Sequence, residues 1–245
     1  MGVGELELTF LGTGNAFAPR GLCWNGFVVN GRHLFEAPPQ ALQSLNRLRI
    51  NPNQVETVVL SHQHGDHFLG LPFLFTHWNE LGRTEPVRIV VPLGTRDGII
   101  QLCNLAYPRL TETTYNVEWI EVRAGETVDV GPLRLEPVDA KHDPKLERPL
   151  GYHAELDGRR FGYTGDSALC DGVLDLARRA EVLVSECSSR DLQLPTHMNL
   201  VDDMPQVREA MQESAELVLT HLGPRIDTNG LARTTVAQDL ETYRF

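Results

Sequence analysis

What this sequence lacks narrows it first. No CxxC pair occurs among its four cysteines (Cys23, Cys103, Cys170, Cys187). That removes a zinc knuckle and a disulfide framework and leaves free thiols, among the most buried of side chains. No apolar run approaches the roughly 20 residues of a spanning helix, so no membrane partner is expected. The start, MGVGELELTF, lacks both the basic opening and apolar core of a signal peptide and the Ser or Thr of a myristoylation motif, so the expected location is the cytoplasm. Positive charge is scarce: 22 Lys and Arg stand against 33 Asp and Glu, a net charge of −11. That deficit opposes a broad grip on extended nucleic acid, which rests on clustered cations. A small phosphate substrate is compatible with it, because bound divalent cations reverse the local sign. With no low-complexity linker, 245 residues at 41% hydrophobic and 22% charged are expected to form one α/β domain, residues 1–245.

What is present is a succession of strand and helix signals. ELELTFLGTG alternates and then breaks on glycines, a strand entering a loop. FVVNGRHLFE sets Asn-Gly between two apolar runs, a hairpin signature. PPQALQSLNRLRI carries Leu42, Leu45 and Leu48 behind prolines and predicts a helix. VETVVL is a strand, and LGLPFLFTHWNEL a helix striped by Leu71, Leu74, Phe75, Trp78 and Leu81. A strand, VRIVV, and a helix, TRDGIIQLCNLAY, follow. Residues 117–163 read mostly as strands, with a turn at Asp157-Gly158. DGVLDLARRA is a helix, EVLVSE a buried strand, DDMPQVREAMQESA an Asp-capped helix and ELVLTH a last core strand. Strands with helices between them thus occur twice, and residues 224–245 are expected to pack outside.

The densest chemistry lies in LSHQHGDHFLG, which spends three of nine histidines within six positions. Residues two apart in an extended segment point the same way, so His62 and His64 converge on one ion. Asp66 and His67 follow Gly65, which lets the loop turn them toward a second. Further donors are expected at later strand ends: His142 in VDAKHDP, Asp166 in GYTGDSA and His221 in LVLTHLGP. One carboxylate, Asp166, can bind two cations and hold them roughly 3.5–4 Å apart, as two-metal hydrolysis requires. Zinc suits such imidazole and carboxylate donors, with manganese and iron as alternatives. LGTGNAF has Phe17 where a dinucleotide fingerprint needs glycine, so its glycines are expected to bring the loop close to the metal site. His33, His77 and His153 read as structural, Phe68 as a candidate to line the pocket, and Arg159-Arg160 as a solvated turn.

HxHxDH followed by His, Asp and His, each at a strand end, resembles the metallo-β-lactamase superfamily over residues 5–225. The resemblance implies an αββα sandwich: two mixed sheets flanked by helices, with the site at one edge between them. It implies that His62, His64 and His142 hold one divalent metal and Asp66, His67 and His221 the other, with Asp166 bridging. A Glu at position 64 would suggest the diiron branch. AKHDP differs from the PGH[ST] of glyoxalase II, and DSALC lacks the tyrosine of the quorum-quenching lactonases.

FLGTGNAFAP, the segment from His142 to Tyr152, YTGDS and LTHLGPR instead resemble the ribonuclease Z-like branch. LVSECSS with THMNL resembles that branch's paired Glu and His. Glu186 would then orient His197, and His197 would protonate the leaving group, with Asp66 the third catalytic residue. Two features depart from the branch. His197-Met198-Asn199 stands where it has HST, and only 23 residues separate His142 from Asp166, too few for its long tRNA-binding arm. The expected function is therefore a dinuclear metal-dependent phosphodiesterase acting on a small, nucleotide-like substrate through a metal-bridging hydroxide. A carboxylic ester, lactone or thioester hydrolase is the alternative, and tRNA 3′-processing a third. The resemblance also implies a homodimer.

Overall fold

The computed structural model describes residues 4–146 and 148–245. The first sheet begins where the alternating pattern begins, with β1 (Glu7–Gly12) antiparallel to β2 (Gly26–Val29). Asn30 and Gly31 take φ of 48° and 68°, positive values that an Asn-Gly turn adopts readily, and with Arg32 return the chain as β3 (His33–Phe35). β4 (Thr57–Val59), β5 (Val87–Pro92) and β6 (Val117–Val122) then add in parallel. Helices make the crossovers: α1 (Ala41–Arg47), α2 (Gly65–Phe68) with α3 (Leu71–Glu80), and α4 (Arg96–Ala106).

The second sheet repeats the scheme. β7 (Val128–Val130), β8 (Leu133–Asp139), β9 (Leu150–Leu156) and β10 (Arg159–Tyr163) form an antiparallel run. α5 (Asp171–Arg179) leads to the parallel strand β11 (Val182–Glu186), and α6 (Asp203–Ala210) to β12 (Glu216–Thr220).

The sheets pack face to face over aromatic rings. Phe27 stacks on Phe35 at 5.0 Å between centroids, and Tyr163 meets Phe27 edge-on at 5.2 Å. Each such ring contributes about 1.5–3 kcal/mol on burial. Outside, α3 lays Leu71, Leu74, Phe75 and Trp78 on the first sheet, and α5 and α6 lay Val173, Leu176, Met204 and Val207 on the second. The architecture is the αββα sandwich that the resemblance implies.

Several local expectations need correction. Leu81 falls past the last turn of α3 and is exposed rather than part of the apolar stripe. α1 starts at Ala41, after the prolines, and α6 stops at Ala210. Asp202 does not cap α6 with its side chain; Asn199 Oδ1 accepts the Asp202 N–H instead, at 2.7 Å. Cys103 and Cys187 are buried, but Cys23 and Cys170 are only half-buried. Among the described residues no helix is long and apolar enough to cross a membrane.

The largest difference is the tail, which supplies an edge strand to each sheet. β13 (Thr234–Val236) adds parallel to β12, and β14 (Thr242–Arg244) adds antiparallel to β1. Both sheets thereby have seven strands, in the orders β14-β1-β2-β3-β4-β5-β6 and β13-β12-β11-β10-β9-β8-β7. Between the two tail strands, Asp239 Oδ1 accepts from Thr13 N–H and Oγ1–H at 2.9 and 2.7 Å, and Oδ2 accepts from Cys23 N–H at 2.7 Å. Asp239→Ala leaves these donors unpaired, Thr13 being fully buried, and should cost about 1–3 kcal/mol. Urea unfolding checks this; an unmoved midpoint would remove the tail from the stability of the β1 loop.

Candidate metal centre

Parallel strands leave their C-terminal ends on one edge of a sheet, the usual place for a site in an α/β fold. Glu36 follows β3, His62 and His64 follow β4, His142 follows β8, Asp166 follows β10, Ser188 follows β11 and His221 follows β12. The turn at Thr164-Gly165-Asp166 requires glycine: φ is +57°, and a Cβ there would lie 2.6 Å from the Leu150 carbonyl oxygen and 2.8 Å from Ser61 Cβ. That close approach of β10's end to the β4 loop brings Asp166 beside His62 and His67.

Asp166 Oδ2 lies 3.2 Å from His221 Nε2, 3.3 Å from His67 Nε2, 3.8 Å from His62 Nε2 and 3.9 Å from His142 Nε2. Asp66 Oδ2 is 3.4 Å from His67 Nε2 and 3.5 Å from His221 Nε2. His64 Nδ1 is 3.0 Å from His142 Nε2. All seven donors anticipated from the sequence therefore come together, in the groups His62–His64–His142–Asp166 and Asp66–His67–His221, each with ligand atoms within 4.8 Å of one another. A third grouping joins Asp166 and His221 to His197.

Three of the rings are hydrogen-bonded on the side away from the cluster, the arrangement that fixes tautomer and orientation in metal sites. His62 Nδ1 meets Ser61 Oγ at 2.8 Å, His221 Nδ1 meets Ser188 Oγ at 2.9 Å, and His142 Nδ1 meets the Thr196 carbonyl at 3.0 Å. His67 Nδ1 faces Glu36 Oε1 at 3.4 Å. The inward atoms His62 Nε2, His67 Nε2 and His221 Nε2, together with Asp166 Oδ1, are buried without a hydrogen-bond partner among the described residues. Buried polar atoms left unpaired are costly, and cations held within the two groups would give them partners. This donor set fits divalent metal ions.

The charges agree. Burial disfavours ionised Asp166, but His221, His67 and His62 outweigh it and hold the carboxyl well below its usual range. Burial also opposes the charged form of His67, yet Asp166 and Glu36 raise it well above an ordinary histidine. Burial, helped by His67, holds His62 well below. Beside the cluster, His197 Nδ1 meets Glu186 Oε1 at 2.8 Å. Burial works against protonated His197, but the Glu186 carboxylate outweighs it and pulls the pKa up to about 9. Glu186 is itself held by the N–H groups of Ser167 and Ser188, each at 3.0 Å.

The cluster opens into a cavity of about 540 Å3 whose wall includes His64, Asp66, Asp166, His197 and His221. Phe68 does not line it and packs instead in the helix-covered core. The glycines of LGTGNAF serve the loop's own closure as well: a Cβ on Gly12 would lie 2.2 Å from the Trp24 carbonyl oxygen. His33 is buried, His153 bonds Asp175 at 2.9 Å, and Arg159 and Arg160 pair with Glu181.

Sequence reasoning missed Glu36. It is fully buried, adopts φ of 62°, and accepts hydrogen bonds from Tyr163 O–H at 3.0 Å and Ser61 N–H at 3.3 Å. Its signal was an acid closing HLFE, at a strand end like those that carry the donors.

Fold and site define a hydrolase of the metal-dependent kind. The Beta-lactamase superfamily domain matches residues 28–222, and the chain belongs to that superfamily. It is 24% identical to ribonuclease Z of Methanosarcina acetivorans over 272 aligned positions, covering 90% of this chain and 88% of the relative. The fold superposes on the metallo-β-lactamase fold protein YhfI from Bacillus subtilis with a TM-score of 0.78 at 20% identity, covering 99% and 100% of the two chains. A diphosphatase from the PhnP family superposes with a TM-score of 0.74 at 18% identity, covering 98% of each.

Zinc added to metal-free protein should raise its melting temperature, since a ligand bound only by the folded state at about 1,000 times its Kd stabilises by roughly 4 kcal/mol. Asp166→Ala should abolish most of that rise. A full zinc-dependent shift in the variant, by scanning calorimetry, would remove Asp166 from the centre.

Proposed function

We propose that the chain, acting as one unit over residues 1–245, is a dinuclear metal-dependent phosphodiesterase of the ribonuclease Z-like branch acting on a small, nucleotide-like phosphodiester. The observation that carries this reading is the His197–Glu186 pair, a proton donor and its orienting carboxylate on the wall of the cavity that holds the donor cluster. In this reading His62, His64 and His142 hold one ion, Asp66, His67 and His221 the other, and Asp166 joins them. Zinc is the ion that best suits these donors. Two divalent cations supply, when bound, an activated water and neutralisation of the phosphoryl oxygens.

The chain's own residues do the rest. Asp66, more exposed than Asp166, faces the cavity and is placed to hold a proton of the attacking water. Glu186 engages His197 Nδ1 and leaves Nε2 to deliver a proton to the departing oxygen, whose expulsion as an alkoxide is otherwise slow. A small substrate is favoured over precursor tRNA because only 23 residues, a single β9–β10 hairpin turned by Asp157 and Gly158, separate His142 from Asp166, the interval in which the branch's arm would be inserted. The alignment also extends over 272 positions while covering 90% of this 245-residue chain, so the relative carries insertions this chain lacks. By the same resemblance, the working form is a homodimer, and the expected location is the cytoplasm. The apolar part of the cavity wall, from Leu192, Leu194 and Pro224, supports ester or lactone hydrolysis as a second reading.

Turnover of an aryl phosphodiester against an aryl ester, a lactone and a precursor tRNA, on protein of counted metal content, separates these readings; ester or lactone preference would sink the first. His197→Ala should lower kcat roughly 10²–10⁴-fold on diesters with an alkoxide leaving group. With a nitrophenolate leaving group, which departs without a proton, the loss should be much smaller. Equal losses on both, at unchanged metal content, would deny His197 the acid's role.

A further inference from the structure

Two apolar side chains on the cavity wall are largely bare. Phe17 is 89% exposed and Leu192 66% exposed, yet both line the cavity that contains Asp66, Asp166 and His197. An isolated exposed Leu needs no explanation, but a nearly bare Phe on a rigid loop at a reactive site does.

The loop that carries Phe17 is pinned throughout. Asn15 Oδ1 accepts the Phe17 N–H at 3.1 Å, and Asn15 O accepts the Ala18 N–H at 2.9 Å. Trp24 Nε1–H donates to the Ala16 carbonyl at 3.2 Å, and Asn15 Nδ2–H to the Ser188 carbonyl at 3.4 Å. Asp239 ties down both ends through Thr13 and Cys23. Ala18 and Arg20 take φ of 45° and 58°, a backbone that L residues adopt at a cost. Opposite, the Leu192 carbonyl accepts Ser189 Oγ–H at 2.6 Å. Two backbones are thus fixed while the apolar tips they carry are left bare, as a preorganised binding surface requires.

We propose that Phe17, with Leu192, is a specificity element that takes a nucleobase of the substrate, Phe17 stacking on its face while the phosphate lies at the donor cluster. This rests on the phosphodiesterase reading and narrows it to base-bearing substrates. A flat π-surface suits an aromatic ring in any of the bases, so the platform selects for a base without choosing among them.

The test is a calorimetric titration of zinc-loaded protein with adenosine 5′-monophosphate and with ribose 5-phosphate, which share the sugar and phosphate and differ by the base. The base should tighten binding about tenfold or more in the wild type. Phe17→Ala should bring the ratio of the two affinities near one, and Phe17→Tyr should keep it. Since Phe17 is largely bare, the variants should melt like the wild type. Equal affinities in the wild type, or a ratio unaltered by Phe17→Ala, would overturn the proposal; so would a concentration-dependent self-association lost in Phe17→Ala without any base dependence. Because the readout is binding, a protein that prefers adenosine monophosphate yet cleaves only esters would refute the reaction class and leave the platform standing.

Discussion

The structure depends on a carboxylate kept from water. Asp166 sits between the two sheets, 3% exposed, and ionisation there is tolerable only with opposite charge in contact. Four imidazoles meet one of its oxygens, and each comes from a different place in the chain: β4's loop, α2, the end of β8 and the end of β12. Both sheets must be complete, and in register, for those nitrogens to converge. Folding the sandwich and building the centre are therefore one event, and a cation bound there would reinforce contacts across the whole sheet interface.

Behind the donors a second polar layer carries the same logic into the core. Thr220 Oγ1–H donates to Asn25 Oδ1 at 2.6 Å, Asn25 Nδ2–H to Tyr163 Oη at 2.9 Å, and Tyr163 O–H to Glu36 Oε1 at 3.0 Å. Asn25 and Glu36 flank β2 and β3 of the first sheet, whereas Tyr163 and Thr220 end β10 and β12 of the second. This chain of bonds stitches the sheets together within one residue layer of the site. It also aims Glu36 at His67, so a donor's ring angle is set by the packing of Tyr163 against Phe27 and Phe35. Such satisfied buried networks rigidify a core where purely apolar packing would permit sliding.

The legible part of the molecule was the part written in short-range pattern. HQHGDH and the strand-end placement of His142, Asp166 and His221 each occupy a few consecutive residues, and alternation or helical spacing located nearly every element that carries them. Glu36 was opaque because its role exists only once β3 lies beside β4 and β10 comes across to it. The tail was opaque for a related reason: Thr234–Val236 and Thr242–Arg244 are three-residue strands whose partners are edges formed more than 200 residues away for one of them. Short edge strands carry little hydrophobic signal of their own. The exposed Phe17 belongs with these, since nothing in the pattern of its loop shows the cavity beside it.

The balance of charge bears on the substrate. Glu186 and protonated His197 neutralise one another as a pair, which leaves Glu36, Asp66, Asp143 and Asp166 as the carboxylates facing the donor histidines. Divalent cations held there would offset these carboxylates locally, in a protein whose overall charge is −11. In the proposed reading those cations would meet the phosphodiester monoanion in a partly desolvated cavity, where charge weighs heavily. A long polyanion would meet the net negative field of the surrounding surface once it extended past the cavity. With cations bound, the proposed site would carry a local field opposite in sign to that of the surrounding protein, and a single phosphate could reach it without lying along the acidic surface.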